Sequence, residues 1–460
     1  MPAMSGFTRN IIVIAFASAL GACNQYPETM LPTRSVTPEG LTSDRQLPVR
    51  PWVAELHPVP GAIGRPAYAE TLSLRQAVAR VLAYSPGLKA AFLEIEAKHG
   101  EEAQASSKPN PELLLEIENF GGTKQKSGFE SVEDTLSLTQ TIELGDKRLR
   151  RLRAAHLEAS LAGWDFEATR LQTVLQAAQA YMDTLAAQER LKVLRDFVTI
   201  AEKTSNNVAL RVREGRTSPI DSDRATVALA RARALVRGEE ARLEAARRKL
   251  SALWGSDARD FGTVTGRLGR SNTVPSFEAV KAFLEQNPSL ARWNDGISHR
   301  LAVLDLERGK AIRDIKVGAG IRRFAEDDSL AMVASISMPL QIFDNNSGAI
   351  VAARQRVAKA EHEAGAARTQ LVESLVEALG ALKVAATLVQ ALETEVLPAA
   401  QTAFDRVQIG YGEGRFDILN VLEAQRSVFE ARLDLVGARA DYEKARVLVE
   451  SLIGRDLNGL

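Results

Sequence analysis

Two kinds of hydrophobic pattern follow one another along the chain, and the pair occurs twice. Leu113, Leu115 and Ile117 alternate with Glu112, Glu116 and Glu118, and Leu136 and Leu138 alternate with Thr135, Ser137 and Thr139. Later, Ile315, Val317, Ala319 and Ile321 alternate with Asp314, Lys316, Gly318, Gly320 and Arg322. Leu330, Met332, Ala334, Ile336 and Met338 alternate with Ala331, Val333, Ser335 and Ser337. Period-two patterning predicts strands with one apolar face. Polar turns, Gly121-Gly122 to Gly128 and Glu326 to Ser329, join each pair, so two β-hairpins are predicted, at about 111–142 and about 313–340.

Helical periodicity surrounds both hairpins. A short and a second helix are predicted before each, at about 72–84 and 87–107, then about 276–286 and 289–311. After the first hairpin, Gly145 to about Asn207 has no proline, and Trp164, Ala168, Leu171, Leu175, Ala178, Met182 and Leu185 step by four and three. Sixty-odd residues at about 1.5 Å each give a helix of roughly 90 Å. In the last helix Val421, Val428, Leu435, Tyr442 and Val449 recur every seven residues. Ala424, Ala431, Ala438, Ala445 and Leu452 follow three residues on, a coiled-coil seam whose alanines let helices approach closely.

The matching patterns reflect a duplication. Pro86 and Pro288 lie in similar contexts at an offset of 202; Glu214-Gly215-Arg216 and Glu413-Gly414-Arg415 match at 199; Leu253-Trp254-Gly255 and Leu452-Ile453-Gly454 match at 199. Moved back by 199, the seam becomes Ser222, Ala225, Leu229, Ala232, Val236, Glu239, Leu243, Ala246, Leu250 and Leu253, so the packing face is repeated too. A period near 200 is far above the ~20–50 residues of solenoids. The expected organisation is a first unit at 71–255, a linker at 256–274, a second unit at 275–455 and a tail at 456–460.

The N-terminus reads as a targeting segment. Arg9 precedes an apolar run, Ile11 to Leu20, too short for a span of ~20 residues. Leu20-Gly21-Ala22-Cys23 resembles a bacterial lipoprotein signal, so residues 1–22 are expected to be removed and Cys23 to carry lipid. Asn24 after it favours the outer membrane in enteric-type sorting. Residues 23–70 are Pro-rich and read as an extended linker. No further stretch reads as a transmembrane helix, so a membrane span would have to be a β-barrel.

Composition narrows the function. With 58 basic and 58 acidic side chains the net charge is zero, which argues against nucleic acid as a partner. Cys23 is the single cysteine, so no internal disulfide or thiolate cluster can form. The histidines, His57, His99, His156, His299 and His362, show none of the HxH, HxxxH or HExxH spacings, and Glu361-His362-Glu363 reads as a solvated helix face. No resident metal, cofactor or catalytic residue is expected.

Four strands per chain cannot close a membrane barrel, which needs at least eight. Three chains would supply twelve. The expected fold class is mainly α with a membrane β-barrel: a duplicated unit, four strands and long coiled-coil helices per chain, forming a trimeric 12-stranded β-barrel continued by an α-helical barrel.

The chain also resembles the TolC-like outer-membrane efflux factors from residue 71 to 455. The resemblance rests on the duplication, on QTIELGDKR at Gln140 to Arg148, on MPLQIFDNN at Met338 to Asn346, and on the EGR turns followed by Ile418-Leu-Asn-Val-Leu-Glu-Ala424. NPELLLEIENFGG from Asn110 is similar to the cobalt–zinc–cadmium branch of pump-linked ducts, although Asp146 stands where that pattern more often has glycine. The resemblance implies a homotrimeric, passive exit duct that works with a periplasmic adaptor and an inner-membrane pump of the resistance-nodulation-division type. It implies that Gly215, Arg216, Gly414 and Arg415 form adaptor-docking tips, and that Asp417, Asn420 and Glu423 border the periplasmic aperture, with neutral Asn420 leaving Glu423 as the main charge. Independently of it, Glu112, Glu116 and Glu118 share a polar strand face that would line a barrel lumen, with Lys316 and Arg322 on the third strand as expected ion-pair partners. Both EGR turns and the aperture acids also fit plain helix capping. Two other functions fit less of the chain. A periplasmic adaptor or coiled-coil scaffold leaves the amphipathic hairpins unexplained, and an enzyme would need a clustered nucleophile, base and orienting acid. Within the duct reading, drugs, small organics and secreted proteins are alternative cargoes to divalent metal cations.

Overall fold

The computed structural model describes residues 67–269 and 274–457. Cys23, the signal segment and all of the expected linker before residue 67 lie outside the described residues. The elements run β1 (Ala69–Leu72), α1 (Leu74–Tyr84), α2 (Pro86–Ala105), β2 (Glu112–Glu118), β3 (Glu133–Ile142), α3 (Lys147–Arg213), α4 (Pro219–Ala252) and β4 (Phe261–Val264). They continue with α5 (Phe277–Lys281), α6 (Pro288–Lys310), β5 (Ile315–Phe324), β6 (Ser329–Ser337), α7 (Ser347–Ala391), α8 (Leu397–Gly412) and α9 (Ile418–Ile453).

Local chemistry sets the boundaries. Ser73 caps α1 through a reciprocal pair with Gln76, and Pro86 and Pro288 open α2 and α6, where a missing N–H costs nothing. α3 runs unbroken for 67 residues, roughly 100 Å. Its counterpart in the second repeat does not. Pro398 cannot donate to the carbonyl one turn back, and α7 passes into α8 through a π-turn at Leu392–Val396. Asp146 and Asn346, which precede α3 and α7, both adopt left-handed conformations (φ 55° and 60°). Asp and Asn tolerate that region better than other non-glycine side chains, so Asp146 meets the backbone requirement that a glycine would also meet.

The four long strands form one antiparallel sheet in the order β2-β3-β5-β6. Its register stacks like on like. One face carries the rows Leu113–Leu138–Ala319–Ala334 and Leu115–Leu136–Ile321–Met332. The other carries Glu116–Thr135–Arg322 and Glu112–Thr139–Gly318–Ser335. β2 and β6 are open edges.

Sequence and structure differ at the segment 256–274. It is not a bare linker: β4 lies within it and pairs in parallel with β1, from Ala69 opposite Phe261 to Leu72 opposite Val264. Strands of four residues are too short to show a period. Tyr181 of α3 fastens this ladder, its hydroxyl donating to the carbonyls of Leu72 (3.0 Å) and Thr265. Burial pushes the Tyr181 phenol up. Around it lie Leu72, Val78, Val81, Leu185, Leu250, Trp254 and Phe261. A second core joins α7 and α9 through Leu375, Leu382, Val389, Tyr442, Val449 and Ile453.

The seam is buried as its period requires: Val421, Val428, Leu435, Tyr442 and Val449 in α9, and Ala225, Ala232, Leu243 and Leu250 in α4. Glu239, the acid on the seam, is buried between Arg190 (3.4 Å) and Arg242 (3.1 Å). The run Ser347–Gly412 is long and apolar enough by composition to cross a membrane, which the sequence pattern did not single out. Its buried positions Leu371, Leu375, Leu379, Leu382 and Val389 belong to the α7–α9 core, while Val376, Val384 and Leu388 are exposed, so helix packing accounts for only part of its hydropathy.

His299 of α6 has its Nδ1 buried without a partner. Burial, then Arg300, holds this imidazole below its ordinary value of 6.5 against the opposing pull of Glu158. A base held down in the folded chain takes up its proton more readily once unfolded, so this contribution is lost as pH falls through that ordinary value. Between about pH 7.5 and about pH 5.5, the wild type is expected to lose more thermal stability than His299→Gln, as read by circular dichroism melts. Equal losses in both would remove His299 from the acid response.

Candidate functional site

Both helical hairpins turn in the same way. At the first, the N–H of Arg216 bonds the Arg211 carbonyl (2.8 Å) and that of Gly215 bonds Val212 (3.0 Å). At the second, Arg415 bonds Gly410 (2.8 Å) and Gly414 bonds Tyr411 (3.2 Å). This is a Schellman cap, and it needs a left-handed residue after the helix. Gly215 (φ 72°) and Gly414 (φ 78°) supply it. Arg216 and Arg415 are exposed and pair with the preceding acids, Glu214 (3.5 Å) and Glu413.

The two turns lie side by side. Val208, Ala225, Ile418 and Val421 form a small core beneath them. Arg211 donates to the Tyr411 carbonyl (3.0 Å) and stacks its guanidinium 4.4 Å from the Tyr411 ring centroid. Burial pushes the Tyr411 phenol up. Sequence reasoning passed over Arg211 and Tyr411 because they stand outside the EGR triplets and meet only across two helices.

Of the expected aperture residues, two serve the helix terminus. Asp417 accepts from the Asn420 N–H (3.0 Å), and the Asn420 side chain accepts from the Asp417 N–H (3.4 Å). Asn420, the neutral residue of the three, is therefore the second half of a capping box. Glu423 stands exposed one turn on, with no ion pair to its carboxylate among the described residues.

At the sheet, the expected pairs form. Lys316 Nζ lies 3.1 Å from Glu112, and Arg322 bridges Glu118 (3.3 Å) and Glu133 (3.0 Å). Arg322 Nε also donates to Thr135 Oγ1 (2.9 Å). Glu116 shares their row but is not among these pairs. Glu133 was missed from sequence because its strand partner is defined only by the register. The opposite face is apolar and largely open to solvent: Leu113, Leu115, Ile321, Met332 and Ile336 are all more than half exposed, Met332 at 91%.

A family model described as "Outer membrane efflux protein" matches residues 77–256 and again 279–455. The chain belongs to the outer membrane efflux protein family. This efflux protein is 31% identical to the cobalt-zinc-cadmium resistance protein CzcC of Cupriavidus metallidurans over 84% of its own chain and 91% of that protein. It is 26% identical to the nickel and cobalt resistance protein CnrC of the same organism over 61% of its chain and 66% of that protein. A crystal structure of CusC aligns with a TM-score of 0.72 at 15% identity, covering 86% of this chain and 99% of that one, which is a likeness of fold.

The efflux protein's tips give a direct test of their geometry. A Cβ at Gly414 would meet no atom within 4 Å, so Gly414→Ala acts through the backbone alone. A left-handed alanine costs about 1–2 kcal/mol. Hydrogen exchange at Glu413 to Asp417 is expected to quicken while exchange in α3 is unchanged. Unchanged exchange at the turn would mean that the Schellman cap does not depend on glycine.

Proposed function

We propose that this chain is the exit duct of a tripartite efflux system in the bacterial outer membrane, passively conducting divalent heavy-metal cations to the exterior. The observation that carries the reading is the sheet with one exposed apolar face and one ion-paired polar face, placed among helices far longer than a compact domain needs. Strands β3, β5 and β6 have ten, ten and nine residues, and a tilted membrane strand needs about 9–11. In a bilayer the open edges β2 and β6 must be paired. Joining β2 of one copy to β6 of the next closes a barrel, and three copies give twelve strands, all even in number and antiparallel.

In that homotrimer the apolar rows face lipid and the Glu112, Glu116, Glu118, Lys316 and Arg322 face lines the lumen. The exposed tips, Gly215-Arg216 and Gly414-Arg415, are the docking points for a periplasmic adaptor, which couples the duct to an inner-membrane resistance-nodulation-division pump. Glu423, repeated three times near the axis, sets a cation-favouring aperture. Cys23 is the proposed site of lipid attachment. The duct needs no chemistry of its own, since the pump supplies the energy.

The metal cargo is supported by the 31% identity to a cobalt-zinc-cadmium resistance protein over most of both chains. Deleting the gene in a strain without a substitute duct is expected to lower tolerance to zinc, cobalt, cadmium or nickel, with recovery on complementation. Unchanged tolerance to all four would sink the metal reading, and a loss confined to organic toxicants would reassign the cargo.

A further inference from the structure

The sheet order β2-β3-β5-β6 places one junction between the two repeats inside the chain, and that junction has a definite construction. Beneath the β3–β5 pair, the connection after β3 runs against the end of α6. The Leu144 N–H donates to Asp314 (2.9 Å), Lys147 pairs with the same carboxylate (2.7 Å), and Arg150 donates to the Asp305 carbonyl (2.7 Å). Gly145 and Gly309 let the two backbones approach. A Cβ on Gly145 would lie 2.7 Å from the Ile312 side chain and 3.2 Å from the Gly309 carbonyl. The connection is short, with four residues, 143–146, between the end of β3 at Ile142 and the start of α3 at Lys147.

The two outer edges of the sheet have features that this inner junction lacks. The connection after β6 has nine residues, 338–346, between Ser337 and the start of α7 at Ser347. Its polar groups are tied to its own repeat: Gln341 donates to the Ala311 carbonyl, Arg313 to the Asp344 carbonyl, and Asn346 to the Glu307 carbonyl (2.8 Å). Its apolar side chains are left bare, with Leu340 75%, Ile342 70% and Phe343 100% exposed. At the β2 edge, the end of α2 borders an open cleft of about 410 Å³, lined in part by Ala105, Ser107, Pro109, Glu143 and Arg151. Arg151 fixes its wall by bonding the carbonyls of Ala105 (3.0 Å) and Ser107 (3.0 Å) and the Glu143 carboxylate (2.7 Å). At the 202-residue offset of Pro86 and Pro288, Ser107 stands in the place of Gly309 (309 − 202 = 107). Its Cβ obstructs the close backbone contact of the inner junction, so a joint here needs a longer connection and side chains to fill the gap.

From this complementarity we infer that Leu340, Ile342 and Phe343 of one copy seat in the cleft at the end of α2 of the next copy, forming a joint between subunits. The inference rests on the trimeric barrel reading. In that barrel β2 pairs with β6 of the adjoining copy in the antiparallel sense, so the residues before β2 and those after β6 leave the sheet together at one end. The surplus length after β6 then meets the surplus space beside α2. Burying three bare apolar side chains drives the contact. Arg151 has its in-plane donors largely occupied, which leaves the guanidinium face for the Phe343 ring.

The test is cross-linking in isolated outer membranes. Phe343→Cys and Ser107→Cys are introduced together and singly into the full chain, with Cys23 kept in every variant, and the membranes are treated with a mild oxidant or a short bis-maleimide. The double variant is expected to give denaturant-resistant species of two and three chains, and each single variant none. Independently, Phe343→Ser is expected to lower the temperature at which the detergent-extracted trimer dissociates. Phe129→Ser, which removes an exposed aromatic from the turn between β2 and β3, is expected to leave that temperature unchanged. A wild-type trimer accompanied by no ladder in the double variant, or by an unaltered dissociation temperature in Phe343→Ser, would overturn the joint, assign the bare segment to lipid and leave the duct standing. Failure to recover any wild-type trimer would instead remove the barrel, and the joint with it.

Discussion

Ile321→Lys is expected to prevent recovery of a trimer from the outer membrane, whereas Ser335→Lys leaves it recoverable. Ile321 lies in the central row of the apolar face, between Leu136 and Met332. Ser335 lies on the opposite face, beside Gly318. A lysine on the lipid side near the bilayer midplane costs about 2–4 kcal/mol in each copy. Three copies then face a penalty comparable with the whole stability of an ordinary domain, about 5–15 kcal/mol. On the polar face the ammonium stays hydrated, and Glu112 already accommodates a cation from that side. Heat-modifiable migration after detergent extraction separates the outcomes. Equal tolerance of both substitutions would mean that the exposed apolar rows do not face lipid, and the barrel would fall with them.

The second large effect is expected at Tyr181, in the helical body. Its ring is almost fully buried, and its hydroxyl reaches the Thr265 carbonyl at the end of the β1–β4 ladder and the Leu72 carbonyl, which also accepts from the Thr265 N–H (2.9 Å). Tyr181→Phe keeps the ring but takes the donor from the Thr265 carbonyl, at about 1–3 kcal/mol. Tyr181→Ala also opens a cavity, at about 3–5 kcal/mol by analogy with other aromatic truncations. Both are expected to speed proteolysis within 261–269 before the coiled coil is cut, with alanine the more severe. If alanine were no worse than phenylalanine, the ring would not be part of the core that holds the ladder. A normal digestion pattern in both would show that β1 and β4 are held by their backbone pairing alone.

These two sites mark different routes from sequence to structure. The hairpins were legible because each strand is long enough for its period to show, and because a single-residue slip would turn Leu115 and Ile321 onto the polar face. The Lys316–Glu112 and Arg322–Glu118 pairs followed from charge on a common face. The seam in α9 was legible for a similar reason: five apolar residues at seven-residue spacing leave one way to bury them. The β1–β4 ladder was not legible. Four residues carry no periodicity, and the partners are 192 positions apart, as Ala69 opposite Phe261 shows. Arg211 on Tyr411 escaped notice for the same cause, since the pair does not share a helix.

Capping chemistry lies between these cases. Gly215 and Gly414 announced turns, and the structure adds that both are Schellman caps with left-handed glycines. Asp417 and Asn420 were expected to border an opening, and each bonds the other's backbone N–H at the start of α9. A side chain that bonds the backbone three residues away is less free to meet an ion. Glu423, which makes no such bond among the described residues, carries the aperture proposal on its own.

The sequence by itself determined the duplication, the two amphipathic hairpins and the coiled-coil seam, because each follows from a period that local burial enforces. Tertiary structure alone decided the parallel ladder, the Tyr181 fastening, the π-turn before Pro398 and the cleft at the end of α2. Those depend on which helices lie side by side and at what height, a choice made by the summed packing of the whole body and not by any short run of residues.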